Sequence, residues 1–141
     1  IKLVADERMR RVAVCSGKVY FDLYEEREAR GIDDIYLLRV EQLYPFPLKA
    51  MGDLLGRFPA AEIVWCQEEP QNMGAWTFVE PRLCTVLDGL STGRRSIRYA
   101  GRAASASTAT GLMYKHVAQD VVDEGAGVED QLRALAQFTA R

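Results

Sequence analysis

Four short apolar runs punctuate the chain at helix-length intervals: Val12–Cys15, Ile35–Val40, Ile63–Cys66 and Ser96–Ala100. The first three are nearly continuous in apolar character and do not alternate with polar residues. A strand reads this way when both of its faces are covered, which is the condition of a parallel sheet flanked by helices. Stretches with room for a helix lie between successive runs, so the order is strand, helix, strand, helix. Parallel strands need such crossovers, and the crossovers cover the sheet on both sides. The expected fold class is therefore α/β, a three-layer sandwich with a mostly parallel sheet.

Capping and breaking residues set the helices. Lys18 to Arg30 carries Val19, Tyr20, Leu23 and Tyr24 on one face and charges on the other, and Gly31 stops it. Pro47 is expected as the first helical residue of a segment reaching about Phe58, closed by Pro59. Gly74 opens a third helix to about Leu90, with Pro81 as a kink or restart. Gly111 to about Asp123 places Met113, Val117 and Val121 at i, i+4 and i+8, and residues 128–138 form a last short helix with Leu132, Leu135 and Ala136 on its apolar face. Residues 1–10 read as a linker arriving from an upstream domain, residues 11–123 as the α/β domain, and residues 124–141 as a tail. The chain opens on Ile1, so it is expected to begin partway through a longer product.

Composition removes some classes of partner. A net charge of -2, with no basic stripe interleaved with aromatics, gives no basis for nucleic-acid binding. No stretch has the apolar length of a membrane span. Cys15, Cys66 and Cys84 lack metal-ligand spacing. The first two sit in apolar runs as small buried thiols, which fits a reducing compartment.

Five features could carry chemistry. Glu68 and Glu69 follow the third run, but neighbours on extended chain point to opposite sides and do not share a proton well. The alternative is a polar turn at an interface, with Asn72 and Trp76 on the same surface. Ser16-Gly17-Lys18 stands at a strand–helix junction, where a phosphate could bind the helix N-terminus. Against this, the full phosphate-loop spacing is missing, and Ser16 as an N-cap with a solvated Lys18 explains the same residues. The small-residue loop from Ala103 to Gly111, with Arg102 before it and Ser107, Thr108 and Thr110 as capping hydroxyls, allows close packing of another chain. His116, the single histidine, has no triad or metal cluster to join. Gln42 and Lys49 flank a proline turn that leads into a helix start. Either they accept a phosphate-bearing ligand, or the glutamine buttresses the turn and the lysine is merely exposed.

Four blocks of sequence resemble one family, in that family's order. They are Cys15-Ser16-Gly17-Lys18-Val19-Tyr20-Phe21-Asp22-Leu23, then Arg39-Val40-Glu41-Gln42-Leu43-Tyr44-Pro45-Phe46-Pro47. The third is Trp65-Cys66-Gln67-Glu68-Glu69-Pro70 continued by Asn72, Gly74, Ala75 and Trp76. The fourth is Gly101-Arg102 followed by Ser105-Ala106-Ser107, Ala109, Thr110 and Gly111. Together they resemble the C-terminal domain of the thiamine-dependent decarboxylating component of 2-oxoglutarate dehydrogenase. That resemblance implies a fold similar to the transketolase C-terminal domain. It also implies a parent enzyme that uses thiamine diphosphate and magnesium, decarboxylates 2-oxoglutarate and passes succinyl to a lipoyl arm in the tricarboxylic acid cycle. The implied partners are the upstream catalytic domains, a homodimer mate and the lipoyl-bearing succinyltransferase, in the bacterial cytoplasm or the mitochondrial matrix. In some branches of the family an acetyl-CoA effector site uses positions like Gln42 and a basic pair matching Lys49 and Ala50, and here the second cation is absent. No Gly-Asp-Gly with a downstream asparagine occurs, so the fragment is expected to be structural and regulatory, with no catalytic or metal residues of its own. Two alternatives are a free-standing nucleotide or acyl-CoA effector module, and the same domain of a 2-oxoadipate-specific relative.

Overall fold

The computed structural model describes residues 1–90 and 96–106. Four strands, β1 (Arg11–Cys15), β2 (Ile35–Arg39), β3 (Glu62–Cys66) and β4 (Ile97–Ala100), alternate with three helices, α1 (Val19–Arg30), α2 (Leu48–Leu55) and α3 (Trp76–Asp88). The sheet is parallel throughout, in the order β2-β1-β3-β4. The expected α/β sandwich is what forms. The expected helices at 111–123 and 128–138, His116, and Ser107 to Gly111 of the small-residue loop lie outside the described residues.

The apolar runs explain the layers. Every residue of β1 is buried, because β1 sits between two strands and under helices on both sides. Val12, Val14, Ile63 and Trp65 face α2 and α3 in the larger core, together with Met51, Leu55, Phe58, Val79 and Leu83. Ala13, Cys15, Val64 and Cys66 face the opposite way, onto Val19 and Leu23 of α1. The chain thus steps from β1 to β2 across one face, then returns over β1 to β3 and β4 across the other. Right-handed crossovers demand this change of face when the direction reverses. The reversal lies between β1 and β3, and there the loops leaving the strand ends part to opposite sides of the sheet.

Local details depart from the sequence reading in three places. Ser16 does not cap α1: Lys18 occupies the cap position, no side chain bonds the free amides, and Gly17 turns the chain at φ 70°. Pro47 precedes α2 rather than starting it, and α2 ends at Leu55, before Pro59. Helix α3 starts at Trp76, two residues past Gly74, and runs through Pro81 without a restart. Residues 1–10 lie against the domain. Met9 is buried, Leu3 and Val4 pack on the larger core, and the Val4 amide donates to the Asp33 carbonyl at 2.9 Å.

Ion pairs pin the amino ends of the strands. Arg10 Nε donates to Asp34 at 2.7 Å. Glu62 takes Arg11 on one oxygen at 2.7 Å and Arg98 on the other at 2.8 Å, which ties β1, β3 and β4 together. The Arg10 hydrogen bond holds the Asp34 carboxyl below its usual range. Glu62 is raised by burial, but Arg98 and Arg11 outweigh this and its net position is also low. A depressed carboxyl stabilises the fold above its unfolded pKa, near 4, and loses that contribution as pH falls through its folded value. Thermal midpoints should therefore hold from pH ~7 to ~4.5 and drop below ~4. Glu62→Gln removes the charge that Arg11 and Arg98 share, so it should cost about 1–3 kcal/mol at neutral pH and flatten the acid limb. Parallel melting curves for both proteins across this range would show that Glu62 is not the group responsible.

Candidate functional site

The carboxyl ends of β1 and β3, where the chain order reverses, border a cleft of about 550 Å³. In open α/β sheets this is where ligands and partners meet the fold. Ser16, Gly17 and Lys18 line it from β1, Gln67, Glu68, Glu69 and Gly74 from β3, and Leu43 and Tyr44 from the loop after β2, with Phe78 of α3 closing one wall.

Gln67 organises the site. It is the first residue past β3, and its side chain is 4% exposed. Its Oε1 accepts from Trp65 Nε1 at 2.9 Å and from the Trp76 amide at 3.0 Å. Its Nε2 faces three carbonyls, those of Glu69 at 3.2 Å, Pro70 at 3.1 Å and Met73 at 2.8 Å. One carboxamide thus supplies the donors and acceptors that the irregular backbone from 68 to 76 cannot supply for itself. Gly74 makes the fit possible. It sits at φ 65°, and a β-carbon there would stand 2.9 Å from Glu69 Oε2 and 3.0 Å from Gln67 Nε2.

A second segment is strapped onto this loop. The Gln67 amide donates to Ala100 O and the Gln71 amide to Arg102 O. Asn72 bonds Ser105 twice, donating from Nδ2 to its carbonyl at 2.9 Å and accepting from its amide at 3.0 Å. The Tyr99 hydroxyl lies 2.9 Å from Glu69 O and 3.0 Å from Arg102 O. Burial pushes its phenol up to about 12, so it remains a donor at neutral pH. Gly101 must be glycine for space, since a β-carbon would meet the Tyr99 hydroxyl at 2.5 Å.

The residues singled out by sequence separate here. Glu68 and Glu69 reach the cleft, and Glu68 pairs with Lys18 at 3.2 Å across its mouth. Asn72 stands on the exposed surface while tying down residue 105. Trp76 packs inward from this loop. It is 7% exposed, its ring lies tilted 5.3 Å from that of Tyr99, and it is part of the larger core, so its own chain covers it. Gln42 and Lys49 do not line the cleft. Gln42 donates to Pro45 O at 3.2 Å within its turn, and Lys49, 90% exposed, pairs with Asp53 one helical turn on. Lys18 is likewise committed, to Asp22 at 2.9 Å as well as Glu68. The hydrogen bonds to Asp22 and Glu68 raise its pKa. Cys15 and Cys66 are register partners on β1 and β3, and burial pushes both thiols up to about 12. At neutral pH they are protonated packing groups and not nucleophiles.

Sequence reasoning quoted Gln67 but gave it no role. The available signal was an amide placed directly after a buried four-residue run, where a buried polar group must find partners.

The sequence has known relatives. Residues 2–122 match the family model described as 2-oxoglutarate dehydrogenase C-terminal. The chain belongs to that family. The 2-oxoglutarate dehydrogenase E1 components of Brucella anthropi, Brucella ovis and Brucella canis are each 66% identical to it over 119 residues, covering 84% of this chain and 12% of theirs. The chain therefore spans about an eighth of the length of these relatives.

Replacing Gln67 by Glu keeps its size but turns donors toward three carbonyls into acceptors. The domain should lose about 2–4 kcal/mol, through several unmet buried partners. Gly74→Ala should cost about 1–3 kcal/mol, from the left-handed backbone and the close approach. Urea unfolding measures both, and a change under 0.5 kcal/mol in Gln67→Glu would refute the organising role of Gln67.

Proposed function

We propose that this chain is the C-terminal domain of a thiamine-dependent 2-oxoglutarate dehydrogenase component, and that it serves that enzyme as a structural and regulatory domain. The 66% identity to E1 components over 84% of the chain carries this reading. In the parent enzyme, thiamine diphosphate with magnesium supplies the electron sink for decarboxylation. The described residues do not offer that group a metal site. Among the described residues, no three His, Cys, Asp or Glu side chains gather as a divalent cation needs. We therefore assign the cofactor to the remainder of the polypeptide and route no chemical step through these side chains.

The work of this domain is to present a rigid face. Glu68, Glu69 and Asn72 stand at the carboxyl edge of the sheet, on a loop fixed from within by Gln67. Tyr44 is 82% exposed beside them. We infer that the catalytic domains of the same polypeptide cover this edge, and that the domain contributes to a homodimer whose product goes to a lipoyl-bearing succinyltransferase in the cytoplasm. No described helix is long and apolar enough to cross a membrane.

Ferricyanide reduction driven by 2-oxoglutarate, with thiamine diphosphate and magnesium present, tests the division of labour. The full-length enzyme should turn over and the pure 141-residue chain should stay at background. Turnover by the chain alone would overturn the assignment.

A further inference from the structure

The cleft between β1 and β3 has a definite electrostatic character. One ammonium, Lys18, is already held by Asp22 and Glu68. Glu69 makes no ion pair with any described residue, and its carboxylate rests over Gly74, on the wall of the cleft. Glu68 and Glu69 both line the cleft against the single lining lysine, so its lining carries a net negative charge. Such a site repels phosphates and favours a positive group, despite the helix start at Lys18. Leu43, Tyr44 and Phe78 give the cleft an apolar wall. An acidic end with an apolar wall matches the aliphatic stem and charged head of a basic side chain.

The rim indicates what brings that side chain. Tyr44 is 82% exposed, Phe21 53% and Leu48 47%. Tyr44 lines the cleft, while Phe21 and Leu48 stand at the starts of α1 and α2, where both helices leave the same edge of the sheet. Large apolar groups spread around a cleft are covered by a macromolecular surface rather than by a small free ion. The relatives carry some seven-eighths of their length outside the matched stretch.

We propose that the cleft receives a lysine or arginine side chain from another domain of the same polypeptide, its cationic head on Glu69 and its stem against Leu43, Tyr44 and Phe78. This rests on the reading that a catalytic domain covers the carboxyl edge, and it names the chemistry of the contact.

Carbodiimide labelling of carboxylates in the full-length enzyme, read by peptide mass spectrometry, separates the two claims. Glu80, exposed on α3, is the reference. At low salt, about 0.05 M, Glu69 should label roughly ten-fold more slowly than Glu80, or become cross-linked to a lysine from outside these 141 residues. About 0.5 M salt should leave most of this difference, because a pair covered by a domain is screened much less than an exposed one. Two further outcomes contradict the proposal. Shielding of Glu69 with no cross-link, and with no lysine or arginine in the segment that hydrogen exchange finds on this edge, means the edge is covered by something other than a cation. Fast labelling at every salt concentration means that nothing covers the edge, and the docking reading falls with it.

Discussion

The functional edge of this domain depends on a single buried carboxamide. A strand that ends inside a protein must release its chain into a loop, and a loop has no ladder to satisfy its amides and carbonyls. Gln67 supplies the substitute from a position where β3 has only just stopped. Its oxygen fastens the start of α3 and the Trp65 indole. Its nitrogen gathers three carbonyls of the intervening turn. With these groups satisfied, the loop from 68 to 76 acts as an extension of the sheet, and Glu68 and Glu69 are held at fixed positions on the cleft.

Rigidity then spreads sideways. Tyr99 and Asn72 attach the segment after β4 to the same loop. Two glycines leave the space that this close packing needs, one under Glu69 and one under Tyr99. Such positions tolerate no side chain, so the loop has little freedom to rearrange when something docks on it. A partner must fit the face as it stands, and that suits the docking role proposed for this edge.

The layers were legible in the sequence because continuous apolar runs have few other uses. Val12–Cys15 and Ile63–Cys66 carry enough apolar surface to require cover on both faces, and both emerged as central strands. The resemblance read from four motif blocks agreed with the family match. Side-chain fates were harder to read. Trp76 follows a polar turn, and local sequence cannot say whether such an aromatic faces out or folds back onto its own sheet. The pairing with Tyr99, 23 residues away, decides it. Lys18 looked available for an anion because Glu68, its partner across the cleft, is 50 residues distant in sequence. Gln67 was hidden for the same reason, since its partners at Glu69, Pro70, Met73 and Trp76 are set by the path of a loop and not by any periodicity.

The central claim is that the carboxyl edge between β1 and β3 is a prepared, net-acidic docking face and not a ligand site for phosphates. A cryo-electron microscopy structure of the full-length enzyme would test it most directly, read at Glu69 and Tyr44. The account predicts that a catalytic domain covers this edge and places a basic side chain within hydrogen-bond reach of Glu69. A cleft open to bulk solvent, or one filled by an anionic ligand, would contradict it.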